Sequence, residues 1–213
     1  MGALVLHDYW RSSAAWRVRL ALAAKGQEAT RLPVSLLAGD QRSPAHLARN
    51  PQGLVPVLED GPLLLSQSLA IIEYIEESFP EPPLLPADAA GRALVRSAAL
   101  VIAADVHPLG NLRVQRWLRD RMGQDDDAVT LWLHHWMADG LSALEEFAAR
   151  HGGQFLFGDR ISIADLCLVP QLYNARRFGL QLDDYPRLLA VDMAVAALPW
   201  SAAARPQEPL NPT

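Results

Sequence analysis

The sequence predicts a small α/β domain followed by an all-helical one, and three observations carry that reading. Over residues 1–79, short apolar runs alternate with amphipathic stretches. Phe79-Pro80-Glu81-Pro82-Pro83-Leu84-Leu85-Pro86 then sets four prolines in eight residues, which stops a helix and favours an extended path. Beyond it, apolar residues recur at helical spacing almost to the end of the chain. The expected organisation is a first domain over 1–79, a linker over 80–86 and a second domain over 87–213.

Ala3 to Leu6 is an apolar, β-branched run that reads as the first strand. The turn Arg11-Ser12-Ser13 follows, and Val18, Leu20, Ala21 and Leu22 then supply the buried stripe of a helix. Strand, hydroxyl-bearing turn and helix start gather backbone N–H groups and the positive end of a helix dipole at one point, which suits an anion. The same two serines also serve as an ordinary N-cap. Asn50 to Leu58 runs from a loop into a strand, with Pro56 where a strand should begin. A proline there is confined to a first strand residue, an edge or a special turn, and Val55–Pro56 is a candidate cis bond. Asp60-Gly61 is a two-residue hairpin signal, with Leu63-Leu64-Leu65 as the partner strand. Leu69, Ile71, Ile72 and Ile75 have helical spacing, so Gln67-Ser68 falls at a helix start.

After the linker, helices are expected over roughly 88–120, 126–150, 162–176 and 186–197. Asp125-Asp126-Asp127 suits the N-terminus of the second, and Gly152-Gly153 ends it. Ser162-Ile163-Ala164-Asp165 is a capping-box pattern, which accounts for Asp165 without a catalytic role. Cys167 lies in the same apolar run and reads as a small hydrophobe. Residues 205–213 are proline-rich and read as a loose tail.

Composition narrows the function classes. Half of the 213 residues are hydrophobic, ample for a packed core, and the formal charge of −5 with no basic run argues against nucleic acid. A single cysteine cannot form an internal disulfide, which agrees with a reducing, cytoplasmic setting. No secretory signal and no apolar run of membrane-spanning length is seen, and no metal site is expected.

The order βαβ, Val-Pro, β-hairpin, Gln-Ser, helix resembles the thioredoxin-like domain of glutathione S-transferases. Arg11-Ser12-Ser13-x-x-Trp16-Arg17-Val18-Arg19-x-Ala21-Leu22 resembles their zeta class, whose best-known activity is maleylacetoacetate isomerisation. The similarity continues through Gln67 to Tyr74 and Asp165 to Gln171 to Asn174-Ala175-Arg176-Arg177-Phe178, covering roughly residues 4–200. It implies an α/β N-terminal thioredoxin-like domain followed by an all-α helical C-terminal domain, the glutathione S-transferase fold. Glutathione is the implied cofactor, a dicarboxylate the implied substrate, and a two-fold homodimer the implied assembly.

Site residues follow from the same resemblance. Ser12 would donate to the glutathione sulfur, with Ser13 in support. A free thiol has a pKa near ~8.5, and lowering it by two units requires roughly 2.7 kcal/mol of preference for the anion. A hydroxyl donor supplies ~1.5–3 kcal/mol and a helix N-terminus a further ~0.3–1 kcal/mol, so the pair matches the task. The backbone of Val55 would pair with the cysteinyl part, extending the sheet edge. Gln67 and Ser68 suit the γ-glutamyl carboxylate, and Gln41, His107 and Asn111 are further cofactor contacts. Arg11, Arg113 and Arg177 are the candidate forks for the acceptor's carboxylates, whereas Arg17 and Arg19 are expected in structural pairs.

Two positions depart from the zeta pattern. Ala14 stands where the class usually has cysteine, and His107 where better-known members have glutamine. His107-Pro108 with Arg113 looks more like the maleylpyruvate isomerases of the same class. The expected activity is therefore glutathione-dependent isomerisation of maleylacetoacetate. Maleylpyruvate isomerisation and a conjugating or dehalogenating transferase are the alternatives. A non-catalytic glutathione-binding protein fits least, because Ser12, Gln67, Ser68 and Arg177 all persist.

Overall fold

The computed structural model describes residues 2–207. Contacts divide them into two units, residues 2–83 with 198–207 and residues 84–197. The final described stretch is thus counted with the first unit, a departure from the expected second domain of 87–213.

The first unit is a four-stranded mixed sheet ordered β2-β1-β3-β4. Strand β1, Leu4–Asp8, pairs in parallel with β2, Thr30–Pro33, and antiparallel with β3, Val57–Asp60. β3 joins β4, Leu63–Ser66, through the expected hairpin, where Gly61 takes the left-handed φ of 58° that favours glycine. Register places Leu6 opposite Leu58, and both are buried. Helix α1, Ser13–Ala24, packs against α3, Ser68–Ser78, and Leu20 of the one and Ile71, Ile72 and Ile75 of the other are fully buried. A 3₁₀ turn at Asp40–Arg42 and helix α2, Pro44–Arg49, lead to the loop before β3, where Val55–Pro56 is cis. Lys25, its side chain wholly buried, pairs with Glu76 at 2.5 Å and donates to the Pro82 carbonyl at 2.6 Å, fastening the proline segment.

The second unit is helical: α4 Ala89–Leu100, α5 His107–Leu109, α6 Leu112–Asp120, α7 Asp126–His151, α8 Ile163–Arg177 and α9 Pro186–Ala196. The single helix expected over 88–120 is interrupted. Val101–Val106 forms a π-helical stretch, and Asn111 caps a new helix with its side chain on the Arg113 N–H. Two causes are visible. Pro108 brings no N–H to the helical ladder. Gly140 of α7 lies so near Val106 that a Cβ would come within 2.1 Å of Val106 Cγ2, so the bulged stretch is packed onto α7 at a residue without a side chain. The capping box at Ser162 is present, and the buried Asp165 carboxylate accepts from Leu156 N–H, Ser162 N–H and the Ser162 hydroxyl. Cys167 is fully buried. Helix α10, Ser201–Ala204, belongs to the first unit and packs on α1. Most of the proline-rich tail, residues 208–213, lies outside the described residues. No helix among the described residues is long and apolar enough to cross a membrane.

Candidate active site

The loop that carries Ser12 is held from below by charge. Asp8, at the end of β1, accepts from Arg19 at 2.7 and 2.8 Å and from Arg31 at 2.9 Å. Arg19 donates also to the Trp10 carbonyl and the Ala204 carbonyl, each at 2.9 Å. Burial pushes this guanidinium below its ordinary pKa, and the Asp8 carboxylate beside it pulls the other way. The structural pairing expected of Arg19 is therefore present, and it fixes the turn between strand and helix. Ser12 N–H donates to the Tyr9 carbonyl at 2.8 Å. As the N-cap of α1, Ser12 accepts the Ala15 N–H on Oγ at 3.2 Å. Accepting a bond leaves the hydroxyl proton to be donated elsewhere. Ser13 is the first residue of α1 and is buried, and the Arg11 guanidinium lies over the Trp10 ring at 5.2 Å.

Arg17, one turn past Ser13 and 1% exposed, donates to Ser68 Oγ at 3.2 Å. This contact was not legible in the motif, which suggested only structural pairing. Ser68 opens α3 and, like Ser12, accepts from its own chain while its proton stays available. Gln67 before it has φ 72°, the one non-glycine residue at positive φ among those described, and its amide donates to Gln52 Oε1 at 2.7 Å. Gln52 lies in the loop leading to Val55. In that loop the Leu54 carbonyl accepts from both His46 Nε2 and Asn50 Nδ2, each at 2.9 Å. Gly53 sits against the Gln41 carbonyl, 2.9 Å from where a Cβ would be, so the 3₁₀ turn closes on the same loop. Gln41 Oε1 is buried with no hydrogen-bond partner among the described residues. Such an orphaned acceptor costs on the order of 1–3 kcal/mol, a cost a bound donor would relieve. Arg11, Ser12, Ser13, Gln41, Val55, Gln67 and Ser68 all belong to the first unit, and these contacts link their elements.

His107, Asn111, Arg113 and Arg177 belong to the second unit. His107 follows the π-helical stretch and is half-buried. Trp132 of α7 donates to the Leu109 carbonyl at 2.9 Å and Gln115 to the Gly110 carbonyl at 2.8 Å, fixing the chain between His107 and Asn111. Asn111 uses its side-chain oxygen as a cap, which leaves its amide nitrogen as a donor. Arg113 is exposed on α6. Arg177 closes α8, exposed, with its guanidinium 4.3 Å above the Phe178 ring and donating to Asn174 Oδ1 at 2.9 Å. His134 of α7 meets the Phe178 carbonyl at 2.6 Å. Nothing in the sequence marks Arg17, His46, Gln52, Trp132 or His134 for these tasks, because each acts through an amide, carbonyl or hydroxyl that many residues could offer. Asn50 and Gln52 do stand inside a quoted string, Asn50-Pro51-Gln52-Gly53, and Arg17 inside the Arg11–Leu22 motif, but neither string names the partner each residue meets.

The glutathione S-transferase N-terminal domain matches residues 2–77, and the glutathione S-transferase C-terminal domain matches residues 131–191. The chain belongs to the glutathione S-transferase family. Within that family its relatives include zeta-class transferases, maleylacetoacetate isomerases and a maleylpyruvate isomerase. Maleylacetoacetate isomerase of Pseudomonas aeruginosa is 47% identical over 204 residues, covering 94% of this chain and 95% of that protein. A maleylacetoacetate isomerase from Anaeromyxobacter dehalogenans with bound GSH superposes with a TM-score of 0.88 at 46% identity over 100% of both chains. The same enzyme has also been solved with dicarboxyethyl glutathione and citrate in its active site. A holo maleyl pyruvate isomerase described as a bacterial zeta-class enzyme gives a TM-score of 0.92 at 42% identity, over 94% of this chain and 96% of that one.

Proposed function

We propose that this protein catalyses the glutathione-dependent cis–trans isomerisation of maleylacetoacetate to fumarylacetoacetate, a step in tyrosine and phenylalanine breakdown, as a cytoplasmic two-fold homodimer. One observation carries the reading. Ser12 and Ser68 each accept a hydrogen bond from their own chain and so keep a proton to donate, each at the start of a helix. Two such donors suit the two anions of glutathione that need them, a thiolate and a γ-glutamyl carboxylate. The orphaned Gln41 oxygen, an acceptor for an amide N–H, fits the same tripeptide.

When bound, glutathione supplies the thiolate that adds to the maleyl double bond and leaves again after rotation about the resulting single bond. The chain's residues do the rest. Ser12 donates to the sulfur and holds it as the anion at neutral pH, with the α1 dipole adding to the effect. Ser13 supports that turn. Val55 offers backbone groups to the cysteinyl segment, Gln67 and Ser68 hold the γ-glutamyl carboxylate, and His107 and Asn111 add polar contacts to the cofactor. Arg11, Arg113 and Arg177 bind the acceptor's carboxylates and meet the negative charge that develops on its carbonyl. Because Ala14 replaces the class cysteine, this chemistry runs on the serine-held cofactor thiol alone. The dicarboxyethyl glutathione in the Anaeromyxobacter dehalogenans relative joins glutathione to a dicarboxyethyl group, and such a thioether is what addition of the thiol to an unsaturated dicarboxylate would leave, which supports addition as the chemistry.

His107-Pro108 and the match to the maleyl pyruvate isomerase favour maleylpyruvate as the second candidate acceptor. Proton NMR of purified protein with glutathione and either acceptor tests both. The expected result is conversion of maleylacetoacetate with the greater kcat/KM and no net loss of glutathione. A greater kcat/KM for maleylpyruvate moves the assignment to that acceptor. Stoichiometric consumption of glutathione makes the protein a conjugating transferase instead.

A further inference from the structure

The geometry points to His46 as a positioning residue for glutathione: with Asn50 it clamps the Leu54 carbonyl and thereby aims the N–H of Val55. This rests on the reading above, in which Val55 pairs with the cysteinyl part of the tripeptide. A peptide group is planar, with its C=O and the following N–H rigidly opposed. Fixing the oxygen of residue 54 therefore fixes where the nitrogen of residue 55 points. Both lone pairs of that oxygen are engaged, by His46 Nε2 and Asn50 Nδ2 at 2.9 Å each. A carbonyl only accepts, so Nε2 is the protonated nitrogen of His46. Hydrogen bonds along one peptide also polarise each other, by roughly 10–30% per bond. Two donors on the carbonyl make the Val55 N–H both better aimed and more acidic.

The ring has little freedom to do anything else. His46 is 3% exposed and stands edge-on to His7, with ring centroids 6.2 Å apart and planes at 75°. His7 in turn meets Glu59 at 2.6 Å, and Arg49 meets the same carboxylate oxygen at 3.0 Å. His7 and Arg49 hold Glu59 below the usual carboxylate range, the His7 contact most strongly. Asn50 is similarly pinned, because its side-chain oxygen accepts from Gln52 N–H at 3.1 Å. Gln52 is the residue that Gln67 touches, so the clamp stands next to the proposed γ-glutamyl site as well. A histidine that merely filled the core would not need to spend its donor on the one carbonyl adjoining Val55.

The test uses the intact protein and two substitutions. His46→Phe keeps the ring and removes the Nε2 donor, whereas His46→Gln keeps a donor at the same reach and removes the ring. The readouts are the Val55 amide resonance in ¹⁵N–¹H spectra without ligand, and the calorimetric Kd for glutathione. His46→Phe should shift the Val55 amide upfield and weaken glutathione about three- to tenfold, the scale of one neutral hydrogen bond. His46→Gln should stay within about twofold of the parent on that same scale. A Phe variant that binds as the parent does, with Val55 unmoved, overturns the inference. A Gln variant as weak as the Phe variant overturns it too, because ring packing would then be the cause. If the Phe variant does not fold, His46→Met takes its place with the same expectations. A parent that does not bind glutathione at all sinks the functional reading itself, a separate and recognisable outcome.

Discussion

Replacing Ser12 with alanine removes two hydrogen bonds that different experiments read. The first is the cap on Ala15 N–H at 3.2 Å, and losing an N-cap side chain costs about 0.5–2 kcal/mol of stability. At this chain length each kcal/mol shifts Tm by roughly 2–4 °C. The second is the proposed bond to the glutathione sulfur, a charged interaction of ~1.5–3 kcal/mol. At about 1.36 kcal/mol per unit, its loss raises the bound thiol's pKa by roughly one to two units. Turnover on a maleyl acceptor at pH 7 should therefore fall at least about tenfold, with glutathione affinity changed much less. Ser12→Gly separates the two effects, because glycine costs an N-cap only a few tenths of a kcal/mol (~0.3) yet loses the hydroxyl entirely. The two variants should be alike in kinetics and differ in stability. The assay is the ultraviolet absorbance of the bound thiolate against pH, alongside turnover and a thermal melt. Full activity in Ser12→Gly refutes the reasoning. Full activity in Ser12→Ala with loss in Ser13→Ala transfers the role to the neighbouring serine.

Arg177→Ala should raise the Michaelis constant for dicarboxylate acceptors by about ten- to a hundredfold, one charge-assisted contact of ~1.5–3 kcal/mol, and spare a neutral conjugation substrate. Equal loss on both marks Arg177 as structural. Gly140→Ala forces a Cβ to within 2.1 Å of Val106 Cγ2, and overpacking of this kind costs about 1–3 kcal/mol. A urea midpoint equal to the parent's contradicts the tight approach. Burial pushes the Asp165 carboxyl up to about 6, above its ordinary 3.8. The native state thus holds its proton where the unfolded chain has lost it, so this group's contribution to stability falls as pH rises from about 4 to about 6. The stability gap between the parent and Asp165→Asn should shrink over that window by on the order of 3 kcal/mol and stay flat above it. Urea titrations at pH 4, 5, 6 and 7.5 check this, and a pH-independent gap contradicts it.

What could be read from the residues follows a physical rule. Features set by neighbours in sequence were legible: the Asp60-Gly61 hairpin, the Ser162 capping box and the Asp125 cap that starts α7. Features set by a distant partner were not. Pro108 and the Asn111 cap are local marks of a break that the expectation of one helix over 88–120 overlooks, whereas the π-helical stretch packs on Gly140, more than thirty residues on, which no local pattern carries. The site divides in the same way. Ser12, Gln67 and Ser68 stand in a motif at helix starts, where their chemistry is local. Arg17 matters through Ser68, and His46 through Leu54, across 51 and 8 residues.

Arg19 reaches the Ala204 carbonyl across 185 positions of sequence while it also holds Trp10 and Asp8. The unit that carries the serine turn is therefore assembled from two stretches far apart in sequence, residues 2–83 and the stretch that holds α10. A fragment cut after residue 83 would keep every proposed cofactor residue of the first unit, yet leave α1 without the helix that packs on it. Loss of the final described helix should show itself at the turn from Asp8 to Trp10 that Arg19 holds, far from Ala204 in sequence.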